Sequence, residues 1–349
     1  MSTFLPFKYI HNIRRLLCHR IIVTFFENKG HVDICYNIYA YKITHVGILM
    51  IKKWLLSNLI GVIITVFVLT TTFGMVYSLV NKDKISTQPN NVQFRSGPAR
   101  TYKSTVALKR GTNLIILKKT RGWYKVRRAD NEKIGWVAGW VAESKTLRTA
   151  TPISEATIVL DPGHGGKPGE KYDGLSGDNG SSSVNGKYFE KTYTLRTARH
   201  MRTALQKTGA RVFMTRDKDV LVPLLHIPRL AEKYQADAQI SIHFDHAGNE
   251  DGATTASGVS QFYYHQNSHA LATTLSEALN SLPINNRGID RTQYVVLDQV
   301  TRPATLLELG YINNPENFKK IRTKKYQMAV ATLITHGLET YFKQHTEMK

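Results

Sequence analysis

The chain has 349 residues, 42% hydrophobic and 21% charged, a length and balance that allow more than one folded domain and exclude disorder as the default state. Its formal charge of +21 is unevenly placed: residues 1–53 carry 8 Lys/Arg against 2 Asp/Glu, residues 82–150 carry 16 against 4, and residues 151–349 carry 23 against 20. Cys18 and Cys35 both precede the longest apolar run, which excludes a disulfide framework anywhere beyond it.

Residues 1–53 read as a basic cytoplasmic tail without a clear period. Met50, followed by Ile51, Lys52 and Lys53, would itself make an ordinary amino terminus. Residues 54–80 contain no charged side chain, and the run predicts one tilted transmembrane helix across a hydrocarbon core of about 30 Å. The basic excess before it places the amino terminus inside and the remainder of the chain outside the cell membrane as a single-pass protein. The competing reading is a cleaved signal that would leave a secreted protein. Its apolar core usually spans only about 7–15 residues and ends in a small-residue cleavage site, and no such site lies near Gly74 to Ser78.

Residues 81–150 form the next segment. Val92-Gln-Phe-Arg-Ser-Gly-Pro98, Val106-Ala-Leu-Lys-Arg-Gly-Thr112, 114–117, Gly122-Trp-Tyr-Lys-Val-Arg127 and Ile134-Gly-Trp-Val-Ala-Gly-Trp-Val141 are short apolar or alternating runs broken by Gly and Pro. That punctuation predicts strands and tight turns in a small barrel, with Trp123, Trp136 and Trp140 as core candidates. The set, in this order over 86–147, resembles a bacterial SH3 domain, which implies a wall-binding or positioning module. Its basic excess makes wall teichoic acid or anionic lipid a candidate partner. Nucleic acid is excluded as a partner by the external location.

Residues 151–349 change in texture. Strands are expected at 158–160, 211–215, 238–243, 259–264 and 305–309, and helices at 191–209, 227–235, 268–282 and 326–344. This alternation predicts an α/β domain, a mixed sheet with flanking helices, whose site forms at the carboxyl ends of strands. His164 and His243 each end a strand, as metal ligands delivered to a sheet edge would. Glu308 stands in Leu306-Leu-Glu-Leu-Gly310, where a charged carboxylate is costly to bury alone, so it is either functional or in a structural ion pair. Arg216, Asp217 and Arg229 read as structural pairing, and His246, His265, His269 and His336 as structural or solvated.

Six ordered motifs cover 157–341: Asp161-Pro-Gly-His-Gly-Gly166, Phe189-Glu-Lys191, Met214-Thr-Arg-Asp217, Ser241-Ile-His243, Asn286-Arg-Gly-Ile289 and Leu307-Glu-Leu-Gly-Tyr311. Together they resemble the zinc-dependent N-acetylmuramoyl-L-alanine amidases of the Amidase 3 family. The resemblance implies one Zn2+ held by His164, Glu190 and His243, with Glu308 as general base. It implies peptidoglycan as substrate, cut at the amide joining muramic acid to L-alanine. Asp161, Asp245 and Arg287 are further candidates for orienting ligands or touching substrate, Asp161 either by holding His164 or by capping a turn. A zinc peptidase acting within the stem peptide and a catalytically silent wall-binding scaffold are the alternatives. An anchored hydrolase facing its own wall needs restraint, which makes a membrane activator or regulator a candidate partner.

Overall fold

The computed structural model describes residues 44–172, 175–248 and 252–345. Most of the basic tail expected over 1–53, with both cysteines, lies outside them. Residues 44–57 are helical, and a helix α1, Leu59–Asn81, follows with none of its residues buried. It is the one helix among the described residues that is long and apolar enough to cross a membrane. Its 23 residues span about 35 Å at the helical rise, more than a bilayer core requires.

A separate compact unit begins at Asp83. Its first part is a six-stranded sheet in the order β1-β4-β5-β6-β2-β3, every pair antiparallel. The strands are β1 (Lys84–Ser86), β2 (Val92–Arg95), β3 (Ser104–Leu108), β4 (Asn113–Thr120), β5 (Trp123–Arg128) and β6 (Ile134–Ala138). Val92, Phe94, Leu114, Trp123, Val126 and Val137 fill the core. The expected last strand stops short: residues 139–142 turn into a short helix α2 (Gly139–Ala142), entered at a glycine whose missing side chain leaves room for the ring of Tyr124. Trp140 is half-buried, packs against the barrel core with its ring edge-on to Trp123 at 5.5 Å, and donates from its indole nitrogen to the carbonyl of Ser154 at 2.9 Å.

That bond is one of several joining barrel and α/β domain. Arg95 is fully buried and its Nε donates to Glu155 at 2.9 Å. Arg100 donates to the carbonyl of His345 at 2.9 Å. Arg211 stacks on Trp140 at 4.4 Å and donates to the carbonyl of Arg121 at 2.6 Å.

The α/β domain holds a second six-stranded sheet, ordered β10-β7-β11-β14-β12-β13. Its strands are β7 (Thr157–Pro162), β10 (Arg211–Met214), β11 (Ala238–Asp245), β12 (Val259–Tyr263), β13 (Asn286–Arg291) and β14 (Ala304–Tyr311), and β8 (Lys171–Tyr172) with β9 (Leu175–Ser176) forms a separate two-stranded ribbon. Pairing is parallel except between β12 and β14, so the sheet is mixed. Helices α3 (Glu190–Lys207), α5 (Gln266–Leu279) and α8 (Lys324–Gln344) cover one face, and α4 (His226–Tyr234) and α6 (Val295–Asp298) the other; α7 (Pro315–Ile321) precedes α8.

Side chains alternate between these faces with period two. Ile158, Leu160, Ile240, Ile242, Leu307 and Leu309 join the first core, Val159 and Leu306 the second. Asp161, Ser241, His243 and Glu308 then share the second face, past the point where its apolar packing ends. The sequence pattern did not reveal β13, α6 or α7, which are short or polar and lack a clear period.

Candidate metal and catalytic site

Three expected ligands come together. One donor atom each from His164, Glu190 and His243 lies within 4.8 Å of the others. His164 Nε2 is 3.1 Å from Glu190 Oε2, and His243 Nδ1 is 3.0 Å from Glu190 Oε1. His243 comes from β11 and Glu190 from the first turn of α3, whose positive dipole end favours a carboxylate. His164 leads out of β7 with a left-handed backbone, φ 61°. A side chain at Gly163 would collide with the ring of His243, so only glycine lets the two strand ends approach.

The shape of the His164 turn is held by Arg216. The expected ion pair is absent from its contacts: buried Arg216 donates instead to the carbonyls of Pro162, Gly163 and Lys191, each at 2.9 Å, and of Lys218 at 3.2 Å. Thr194 of α3 adds a bond to the Gly163 carbonyl at 2.8 Å. Asp217 and Arg229 are exposed.

Glu190 is buried and accepts two backbone N–H bonds besides the imidazoles, from Phe244 to Oε1 at 3.0 Å and from Ser181 to Oε2 at 2.9 Å. Burial alone would raise its pKa, but the hydrogen bonds and charges of His164 and His243 hold it below the usual carboxylate range. Burial alone would likewise lower the pKa of His164; hydrogen bonds and charges from Glu190 and Asp178 reverse this and push it up to about 9. A histidine gripped by two carboxylates is an imidazolium when no cation is present, and a divalent cation would take that place.

Glu308 pairs in register with His243 across β11 and β14. Its Oε2 is buried without a hydrogen-bond partner. Burial first, then the negative charges of Glu190 and Asp245, push its carboxyl well above the usual range. No partner cation satisfies it among the described residues, which disfavours the structural ion pair and leaves a carboxyl facing the ligand group.

The remaining candidates fall elsewhere. Asp161 does not touch His164: its oxygens accept from Thr215 Oγ1 at 2.7 Å and Ser241 Oγ at 2.9 Å, tying β7 to its neighbours. The strand alternation sends Asp161 sideways into the sheet, three residues before the turn that carries His164. The carboxylate that does meet His164 is Asp178, 2.7 Å from Nδ1. Asp245 bonds the N–H of His246 at 2.7 Å and adds negative charge near Glu308. Arg287 is exposed and hydrogen-bonds the hydroxyl of Tyr311. His246, read as structural or solvated, lines a cleft of about 500 Å³ with His164, Asp178, Ser181 and Phe189.

Asp178 could not be found from spacing, since it lies in the Gly- and Ser-rich stretch 167–187, which carries no period. Its bonds to His164 and Gly165 are made only after the loop folds back. The backbone donors of Ser181 and Phe244 carry no sequence signal at all.

The family model described as N-acetylmuramoyl-L-alanine amidase matches residues 158–340, and that of the bacterial SH3 domain matches residues 90–143. The chain is 33% identical over 302 residues to the probable cell wall amidase LytH of Staphylococcus saprophyticus, covering 84% of this chain and 98% of that one. It is 34% identical over 257 residues to LytH of Staphylococcus aureus, covering 72% and 82%. Among solved structures, it is similar to the amidase AmiC2 of Nostoc punctiforme, with 28% identity, a TM-score of 0.48 and coverage of 54% and 97%. It is also similar to the catalytic domain of the amidase CwlV from Bacillus (Paenibacillus) polymyxa var. colistinus, with 27% identity, a TM-score of 0.49 and coverage of 54% and 98%. With its site geometry and more than half its length matched, the chain belongs to the N-acetylmuramoyl-L-alanine amidase family.

Proposed function

We propose that this amidase is anchored in the cell membrane by α1, faces outward, and cleaves the amide between N-acetylmuramic acid and L-alanine in peptidoglycan with one zinc ion held by His164, Glu190 and His243. The observation that carries this reading is the convergence of three N/O donors within 4.8 Å beside Glu308, a half-buried carboxyl with one oxygen buried and unpaired. That donor set, two imidazoles and a carboxylate, suits zinc at a catalytic site that keeps a position open. Zinc bound there supplies a Lewis acid that polarises the amide carbonyl and acidifies water.

The chain's own groups do the rest. Glu190, fixed by the N–H groups of Phe244 and Ser181, cannot swing away from the two imidazoles. Glu308 accepts the proton of the attacking water and delivers it to the departing amine of L-alanine. A carboxyl whose burial favours the neutral form readily holds that proton between the two steps. The cleft beside His164 offers the polar groups of Ser181, Ser182 and Asn179 to the glycan or stem.

The barrel positions the enzyme on the wall. Lys118 and Lys125 stand opposite each other on β4 and β5, and Lys125 opposite Trp136 on β6. Like charges placed directly across a sheet repel, and an anionic polymer such as wall teichoic acid, or an anionic lipid surface, would relieve this. An anchored wall hydrolase needs restraint, and a membrane activator or regulator would supply it.

Mass analysis of fragments released from peptidoglycan tests the bond assignment. Intact stem peptide beginning at L-alanine is expected; a shortened stem would instead indicate a peptidase, and no release a silent scaffold.

A further inference from the structure

We propose that Asp178 is a positioning residue for the metal centre: it accepts the Nδ1–H of His164 and so makes Nε2, the nitrogen facing Glu190, the one offered to a divalent cation. The inference rests on the metal reading above and adds to it a residue outside the ligand set. An ionised carboxylate only accepts hydrogen bonds, so its 2.7 Å contact with Nδ1 assigns the proton to that nitrogen. Nε2, 3.1 Å from Glu190 Oε2, is then the nitrogen turned toward the other proposed ligands and the one that a cation would take over. Ligating histidines are commonly fixed in this way by a carboxylate on the second ring nitrogen.

Asp178 is itself held firmly, although it lies far along the loop. Its N–H donates to the carbonyl of Gly165 at 3.0 Å and its carbonyl accepts from the N–H of Gly165 at 2.9 Å, which clamps it to the residue following His164. Its Oδ1 accepts from Gly180 N–H at 2.7 Å, so Oδ2 alone faces the imidazole. Gly180 packs so closely that a β-carbon there would come within 2.6 Å of both the His164 ring and Glu190 Oε2. Ser181 then donates to Glu190 at 2.9 Å. Residues 178–181 therefore set the orientation of two of the three proposed ligands.

The asparagine variant separates charge from shape. Asp178→Asn keeps an oxygen for Gly180, but places an amide N–H against Nδ1, which favours the proton on Nε2, the wrong nitrogen for binding. Zinc dissociation constants are measured by competition with a chelating dye on the full chain in detergent, for wild type, Asp178→Asn and Asp178→Glu. Cobalt(II) absorption reports the ligand set at saturation. We expect Asp178→Asn to weaken zinc about 10- to 100-fold while still reaching the wild-type cobalt spectrum at saturation, and Asp178→Glu to recover part of the loss. Binding by Asp178→Asn within about twofold of wild type overturns the proposal alone. Equal weakening in both variants overturns it too, because the loop's shape and not its carboxylate would then matter. Absence of zinc binding by wild type overturns the metal reading itself, and the proposal with it.

Discussion

His243 and Glu308 lie in register on adjacent parallel strands and on the same face of the sheet. This pairing brings a proposed ligand and the proposed base side by side without help from any loop. The sheet thus fixes their separation, while the third strand end, at His164, depends on a left-handed turn and on Arg216. Two parts of one site therefore have different structural support.

Removing a ligand should remove the metal. His164→Ala, His243→Ala or Glu190→Ala, each measured by elemental analysis after dialysis, should lose most of the roughly one equivalent that a three-ligand catalytic site holds. Glu190→Ala should also be the least stable of the three. It leaves the N–H groups of Phe244 and Ser181 without an acceptor, at about 1–3 kcal/mol for each buried donor. Unchanged zinc content in any one variant would exclude that residue as a ligand.

Metal affinity should rise with pH. In the metal-free protein the pKa of His164 is raised to about 9, so at neutral pH a cation must displace its proton. Zinc affinity should then increase about tenfold per pH unit up to the folded pKa and level off above it. The same raised pKa stabilises the metal-free fold fully below the unfolded value and is lost as pH rises through about 9. Thermal melts of the metal-free chain should show this as a falling midpoint, and flat affinity between neutral pH and pH 9 would contradict the assignment.

The barrel should be part of the folded unit and not a loosely tethered appendage. Arg95 and Glu155 are each 1% exposed and paired across the junction, and removing one partner of a buried pair costs about 3–5 kcal/mol. Arg95→Ala should lower the denaturation midpoint in a single transition shared by barrel and α/β domain. Two transitions, with the second unmoved, would show independent domains.

Wall binding should weaken with salt. Raising ionic strength from about 0.1 M to about 1 M shortens the screening length from about 10 Å to about 3 Å, which should release a chain held through Lys118 and Lys125. Sedimentation with purified walls measures this, and Lys118→Glu with Lys125→Glu should reduce both the binding and its salt dependence. Salt-insensitive binding would point to the aromatic surface instead.

Much of this architecture can be read from residue patterns, for reasons that differ along the chain. The central strands are apolar runs bounded by turns, and their carboxyl ends carry His164, His243 and Glu308, so period and position suffice. Glu190 opens a helix and looks like an ordinary first-turn acid; its motif, more than its spacing, marks it. Asp178 escapes such reading, and Arg216 is read there as an ion-pairing residue, because their partners are a ring and backbone carbonyls brought near by the folded loop. Asp161 misleads for the complementary reason: proximity in sequence to His164 suggests contact, while the pleat directs its carboxylate to Ser241 and Thr215.

The most direct test of the proposed chemistry is the rate at which Glu308→Gln, loaded with zinc to the wild-type level, frees intact stem peptide from peptidoglycan. The isosteric amide preserves the strand and the ligands but cannot take a proton, so the expected result is full zinc content with cleavage reduced by about 10²- to 10⁴-fold. Cleavage at the wild-type rate by the zinc-loaded variant would contradict Glu308 as the base.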